Sequence, residues 1–99
     1  RPVDVSVGGI ASDALGARKI GEIPFSIARK HVAEAVLVSD EAILEARQRL
    51  WESLRIVAEP GGVASLAALL SAAYVPDRGE RVGVIICGGN TASLPDPLP

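Results

Sequence analysis

The chain is poor in cysteine and aromatic residues and has no long apolar run. Of its 99 residues, one is cysteine and three are aromatic. A single cysteine excludes an internal disulfide and is typical of a reducing compartment. No apolar run approaches the roughly 18 residues needed to cross a bilayer, and no signal peptide is visible. The sequence therefore predicts a cytoplasmic location and no membrane partner.

The chain also lacks a large excess of charge of either sign. The formal net charge is −2, and acidic and basic residues are interspersed. This pattern supplies no basic surface for a nucleic acid. With one histidine and one cysteine, the chain has no pair of these residues at the spacing of a zinc site. We expect neither a nucleic-acid partner nor a bound metal.

What the chain does contain is small apolar residues. Its hydrophobic content is 48%, and alanine and valine supply the bulk, as expected for helices packed closely on a parallel sheet. A chain of this length buries only about 60–65% of its unfolded surface, so a core of its own would be marginal. The first residue is Arg1 rather than methionine. We expect the C-terminal segment of a longer protein.

The clearest local pattern is an amphipathic helix over residues 40–57. Ser39 is a typical N-cap, and Asp40 and Glu41 favour the positive end of the helix dipole. Apolar residues recur at intervals of three and four: Ile43, Ala46, Leu50 and Leu54. Charged residues lie between them, on a face that we expect to be solvated: Glu45, Arg47, Arg49 and Glu52.

The other elements follow from glycine, proline and apolar runs. Ser12 and Asp13 can begin a short helix, and Pro24 fits a first helical turn. Residues 35–38 and 82–87 are apolar runs that predict buried strands. Residues 63–73 predict a helix that is apolar, and therefore buried, on every face. The order β-α-α-β with short links predicts an α/β layered domain.

Four short motifs occur in a fixed order. They are VGGIASDALGAR at 7–18, VLVSDE at 36–41, EPGG at 59–62 and CGGN at 87–90. In this order they resemble pyridoxal-phosphate-dependent serine/threonine dehydratases, the group that includes threonine ammonia-lyases and serine racemases. The resemblance covers residues 7 to about 94.

The resemblance implies a fold and an activity. The fold would be α/β, a three-layer parallel-sheet segment of a tryptophan-synthase-β-like (fold type II) enzyme. Residues 1–99 would form the C-terminal part of the catalytic domain, with a loose tail over 93–99. The complete enzyme would bind pyridoxal 5'-phosphate and an amino-acid substrate, form a homo-oligomer, and eliminate water from serine or threonine to give a 2-oxo acid and ammonia.

The resemblance also implies which residues face the cofactor. Cys87 would lie against the pyridine nitrogen as a neutral partner, and Glu59 would lie beside the ring. Gly88 and Gly89 would let the backbone approach the ring closely, which a Cβ would prevent. Each of these residues also has an ordinary alternative. Cys87 could be a small buried thiol, and Glu59 an acidic residue stabilised by a helix N-terminus. The two glycines could simply form a tight turn.

The residues that would carry the reaction itself are missing from this chain. Lys19 and Lys30 lack the Ser-Phe-Lys-type context of the family's Schiff-base lysine, and Gly8-Gly9 is too short for the phosphate-binding glycine loop. We expect His31 to be a surface residue at a helix end, Asp13 to belong to a helix start and Trp51 to pack on its own helix. This segment therefore holds no catalytic residue, and the chain alone should be inactive.

Two other functions stay open at the level of sequence. One is a small non-catalytic α/β module that binds a ligand or dimerises, with the Cys-Gly-Gly-Asn turn cradling an anion. The other is a racemase or β-replacement enzyme of the same family, since this segment hardly encodes the choice of leaving group.

Overall fold

The computed structural model describes residues 1–95, and their regular structure is entirely helical. Helix α1 spans Ser12–Leu15, α2 spans Glu22–His31, α3 spans Asp40–Leu54 and α4 spans Ala64–Leu70. A 3-10 turn over Pro60–Val63 leads into α4. The chain forms two compact units, Arg1–Ala35 and Val36–Pro99.

The first unit contains α1 and α2. Helix α1 begins at Ser12, as predicted, and Pro24 lies in the first turn of α2, where its missing N–H costs no intrahelical bond. The Val5 N–H donates to the Arg18 carbonyl at 2.8 Å, which ties the two ends of the segment around α1. Neither helix has a buried residue.

Helix α3 dominates the second unit and starts where the sequence predicts. The Ser39 Oγ accepts a hydrogen bond from the Ala42 N–H at 3.1 Å, and Asp40 and Glu41 form the first turn. The side-chain cap pairs one of the amides that an α-helix leaves without a partner. The predicted N-terminus is confirmed.

The predicted end of α3 at residue 57 is wrong. Arg55 adopts a left-handed conformation with φ 56°, and its N–H donates to the Trp51 carbonyl at 2.8 Å. A left-handed residue is a common way to end a helix. Residues 56–58 therefore leave the helix axis and lead into the 3-10 turn.

The core of the second unit is small and made of aliphatic side chains. Helix α3 packs against the 3-10 turn and α4. The buried apolar residues are Ile43, Ala46, Leu50, Ala58, Val63, Ala67 and Ala68. Several of these residues are alanines, whose small side chains each bury only a modest apolar area.

The solvated face predicted for α3 is only partly correct. Arg49 and Glu45 form an exposed ion pair at 2.8 Å, and Glu52 is exposed. Arg47, by contrast, is buried, with 9% of its surface exposed. Helical periodicity assigns a residue to a face but does not say which distant segment covers that face.

Helix α4 is shorter and less buried than predicted. It covers Ala64–Leu70 rather than 63–73, and Ala72 follows with a positive φ of 59°. Only Ala67 and Ala68 of this helix are buried, whereas Ser65 and Leu70 are exposed. The described part of the chain therefore leaves some of the apolar surface of α4 uncovered.

The predicted strands are absent from residues 1–95. Residues 35–38 and 82–87 carry no regular structure there, and Leu37 and Ile85 are 95% and 82% exposed. A strand requires a neighbour to pair with its backbone, and no such neighbour is present among the described residues. Of the predicted loose tail, Ser93 accepts hydrogen bonds from Arg47, and residues 96–99 lie outside the described part.

The core assignment predicts a difference between two leucines of α3. Leu50 is 6% exposed and Leu44 is 51% exposed. Leu50→Ala should lower the free energy of unfolding by about 2–4 kcal/mol through lost burial and a cavity. Leu44→Ala should change it by about 0.5 kcal/mol or less. Urea denaturation of both variants measures the difference, and equal effects would contradict the assigned core.

Candidate functional site

The residues singled out by the sequence lie on two turns. We name residues 58–62 the glutamate turn and residues 87–90 the cysteine turn. Glu59 is half-buried and immediately precedes the 3-10 turn, with φ −72° and ψ 162°. Cys87 is exposed and follows the apolar run 82–86.

Two backbone hydrogen bonds join the turns. The Glu59 N–H donates to the Gly88 carbonyl at 2.7 Å, and the Cys87 N–H donates to the Gly62 carbonyl at 3.2 Å. A third bond, from the Gly62 N–H to the Glu59 carbonyl at 2.9 Å, closes the glutamate turn. Segments distant in the sequence are thus held in fixed register by their backbones.

Gly88 is required by this arrangement for two reasons. Its φ is +71°, a conformation that side-chain-bearing residues rarely adopt. A Cβ at Gly88 would also lie 2.7 Å from the Cδ and Oε1 atoms of Glu59. The Glu59 side chain therefore occupies the space that a side chain at position 88 would need.

Gly89 differs from its neighbour. A Cβ built on Gly89 would have only the Val57 carbonyl oxygen within 4 Å, at 4.0 Å, and Gly89 is exposed. Nothing within the described part of the chain requires glycine here. The space beside this residue is open to a group from outside the segment.

Cys87 has a fixed main chain and a free side chain. Its N–H bonds to Gly62, and a Cβ at Gly62 would overlap the Cys87 carbonyl. Its thiol is exposed, which makes the small buried thiol considered above wrong for this segment. The cysteine turn thus presents a sulfur atom next to the turn that carries a carboxylate.

Sequence reasoning missed three contributors to this pairing. Gly62 is buried and allows the close approach of the two backbones; the only hint was its place in a Gly-Gly pair. Ser65, on α4, donates from Oγ to the Ile85 carbonyl at 3.0 Å. Arg47, on α3, contacts the segments that carry both turns, and no local sequence signal indicated it.

Other residues considered above belong to the unit Arg1–Ala35 or have a local contact. Lys19, Lys30 and His31 are exposed residues of the unit Arg1–Ala35. Asp13 is exposed in the first turn of α1. The guanidinium carbon of Arg55, the C-cap of α3, lies over the Trp51 ring, 5.3 Å from its centroid.

Two other kinds of feature are lacking in residues 1–95. No cluster of three or more histidine, cysteine, aspartate or glutamate side chains is placed to hold a metal ion in this part of the chain. Among the same residues, no helix has the length and apolar character needed to cross a membrane.

Comparison with known proteins gives a consistent result. The sequence model of a family described as "Pyridoxal-phosphate dependent enzyme" matches residues 1–88. The L-threonine ammonia-lyase of Thermotoga maritima is 35% identical over 79 residues, which cover 80% of this chain and 19% of that protein. The biosynthetic L-threonine dehydratase of Escherichia coli is 31% identical over 90% of this chain and 18% of its own length.

The name of a third relative indicates a different substrate. The phenylserine dehydratase of Ralstonia pickettii is 33% identical over 88% of this chain and 27% of its own length. The chain thus spans about a fifth to a quarter of the length of these curated relatives. No solved structure matches the chain significantly.

The close fit between Gly88 and Glu59 predicts a large effect of one methyl group. Gly88→Ala should destabilise the chain by about 1–3 kcal/mol through its positive φ, with the Glu59 clash added. Gly83→Ala is the matched control, because a Cβ at Gly83 meets nothing within 4 Å, and should cost about 0.5 kcal/mol or less. Chemical denaturation distinguishes the two; equal midpoints would show that the turns are not paired as described.

Proposed function

Because the chain belongs to the family of pyridoxal-phosphate-dependent enzymes, we propose that it is a segment of an ammonia-lyase that dehydrates a β-hydroxy amino acid. The relatives with the printed names L-threonine ammonia-lyase, phenylserine dehydratase and L-threo-3-hydroxyaspartate ammonia-lyase support this substrate class. All three names denote amino acids with a hydroxyl on the β-carbon. The product would be a 2-oxo acid plus ammonia.

The proposal assigns the segment a place in the complete fold. We place residues 1–99 in the C-terminal part of the catalytic domain of a tryptophan-synthase-β-like enzyme. In that setting residues 35–38 and 82–87 would be strands of the three-layer parallel sheet. The exposure of Leu37 and Ile85 supports this placement, because aliphatic side chains so open to water are normally covered by a neighbouring layer.

The observation that carries the functional proposal is the bonded pair of turns. Cys87 offers an exposed thiol, a weak donor and acceptor, held by its main chain next to the half-buried Glu59. Gly89 leaves open space beside them. These features fit the pyridine side of a flat cofactor that needs one neutral partner and close backbone approach.

Pyridoxal phosphate, when bound, supplies an electron sink for the negative charge that develops at the substrate Cα. The role proposed for this chain is to hold the ring. The Cys87 thiol would contact the pyridine nitrogen without fixing a full positive charge on it. The Glu59 carboxylate would flank the ring, and Gly88 and Gly89 would let the backbone approach its edge.

The proton transfers are assigned to the rest of the protein. Lys19 and Lys30 belong to the unit Arg1–Ala35 and are exposed, and neither has the sequence context of the family's Schiff-base lysine. The phosphate-binding glycine loop is likewise assigned to the remainder. Homo-oligomer formation and a cytoplasmic location are proposed with the activity, on the same family basis.

The alternatives are less well supported. A small non-catalytic module would not be expected to match a catalytic family over residues 1–88. A racemase or β-replacement enzyme is disfavoured by the relatives named above, which carry the names of dehydratases and ammonia-lyases.

The proposed division of labour predicts activity only in a longer protein. The protein translated from the complete reading frame, loaded with pyridoxal phosphate, should release a 2-oxo acid and ammonia from L-threonine, L-serine or another β-hydroxy amino acid. The 99-residue chain should form no 2-oxo acid. Mixed with the cofactor, it should show no visible absorbance beyond that of nonspecific cofactor adducts on surface lysines. A substrate-sensitive cofactor band in the short chain, or no activity in the long one, would refute the proposal.

The proposed role of Cys87 predicts a graded substitution series in the complete protein. Cys87→Ser keeps a hydroxyl donor and acceptor, so cofactor affinity should stay within about threefold of the wild type. Cys87→Ala removes one hydrogen bond and should weaken cofactor affinity by about threefold to tenfold. Fluorescence titration with pyridoxal phosphate measures both; unchanged affinity in Cys87→Ala would show that the thiol does not contact the ring.

A further inference from the structure

Arg47 is a buried cation with partners in two distant segments. Its Nε donates to the Ala58 carbonyl at 2.6 Å. Its Nη2 donates to the Ser93 carbonyl and to the Ser93 Oγ, the latter at 3.2 Å. Ala58 immediately precedes Glu59, and Ser93 lies shortly after the cysteine turn.

The guanidinium group suits this bridging position. It is planar, permanently charged and carries its donors in a rigid fork, so two donors of one group can fix two acceptors in a defined geometry. Charge-assisted hydrogen bonds are stronger than neutral ones; the bond to Ala58 is buried, and the bonds to Ser93 are part-buried. One side chain of α3 therefore restrains two segments that are distant in the sequence, at Ala58 and at Ser93.

The bridge and the backbone bonds form a closed circuit. From Arg47 the circuit runs to Ala58, along the chain to Glu59, and through the Glu59 N–H to the Gly88 carbonyl. It then follows the chain to Ser93 and returns to Arg47. Displacement of Ala58 or Ser93 relative to α3 would break or lengthen an Arg47 hydrogen bond.

We infer that Arg47 is a positioning residue, which sets the relative placement of the Glu59 carboxylate and the Cys87 thiol without contacting cofactor or substrate. The effect of Arg47 on catalysis rests on the proposed function, whereas its structural restraint of the two segments does not. Arg47 acts through the main chains of Ala58 and Ser93. Arg49, two residues away, forms an exposed surface pair with Glu45 and provides a matched control.

The restraint is tested first without cofactor, by amide hydrogen exchange in the 99-residue chain. Arg47→Met keeps an unbranched side chain and removes the donors. Exchange at the Glu59 and Cys87 amides should accelerate about tenfold or more, as expected for losing hydrogen bonds to a charged group. Exchange at the Leu50 amide, inside α3, should change much less, and Arg49→Met should leave all three amides unchanged.

A general loss of stability would give a different pattern. It would accelerate exchange at Leu50, Glu59 and Cys87 by one common factor. If Arg47→Met behaves in this way, Arg47→Lys decides the question, because it keeps the charge and one donor group but lacks the fork. Selective acceleration at Glu59 and Cys87 in Arg47→Lys supports the inference, and uniform or absent acceleration overturns it.

The catalytic consequence is tested in the complete, cofactor-loaded protein. Arg47→Lys should lower kcat by about tenfold to a hundredfold, the scale expected when reacting groups are held out of position, and weaken pyridoxal phosphate binding. Arg49→Lys should match the wild type. A wild-type kcat and cofactor affinity in Arg47→Lys would overturn the inference. If the wild-type protein itself shows no lyase activity, the proposed function fails, while the exchange measurement still decides the role of Arg47 as a restraint.

Discussion

The candidate site depends on two backbone hydrogen bonds, from the Glu59 N–H to the Gly88 carbonyl and from the Cys87 N–H to the Gly62 carbonyl. They bring a carboxylate-bearing turn and a thiol-bearing turn into one place. Backbone pairing of this kind is specific in register, since each N–H has one partner carbonyl. The candidate site exists because this pairing exists.

The glycines around the pairing have different physical reasons for being glycine. Gly62 allows the two backbones to meet, and Gly88 combines a positive φ with the volume taken by Glu59. Gly89 is open to its surroundings in the described part of the chain. Two positions are thus explained by contacts within the segment, whereas the third is free to serve a ligand or the remainder of a longer enzyme.

The fold was predictable where the determining contacts are local. Helix α3 starts at the serine cap that the sequence indicated, because a cap acts over three residues. The strands predicted over 35–38 and 82–87 are absent from the described residues, since a strand exists only with a paired neighbour and local pattern does not show whether that neighbour is present. The chain spans about a fifth of the relatives' length, so most of their chain lies outside this segment.

By itself, the sequence determined the family, the helix start at Ser39 and the identity of the residues on the two turns. Only the tertiary structure decided that Arg47 is buried, although periodicity placed it on the solvated face of α3. Its partners lie 11 and 46 residues away, beyond the reach of any helical period. A hydrogen bond to a distant backbone carbonyl leaves no trace in residue types, because every residue has that carbonyl.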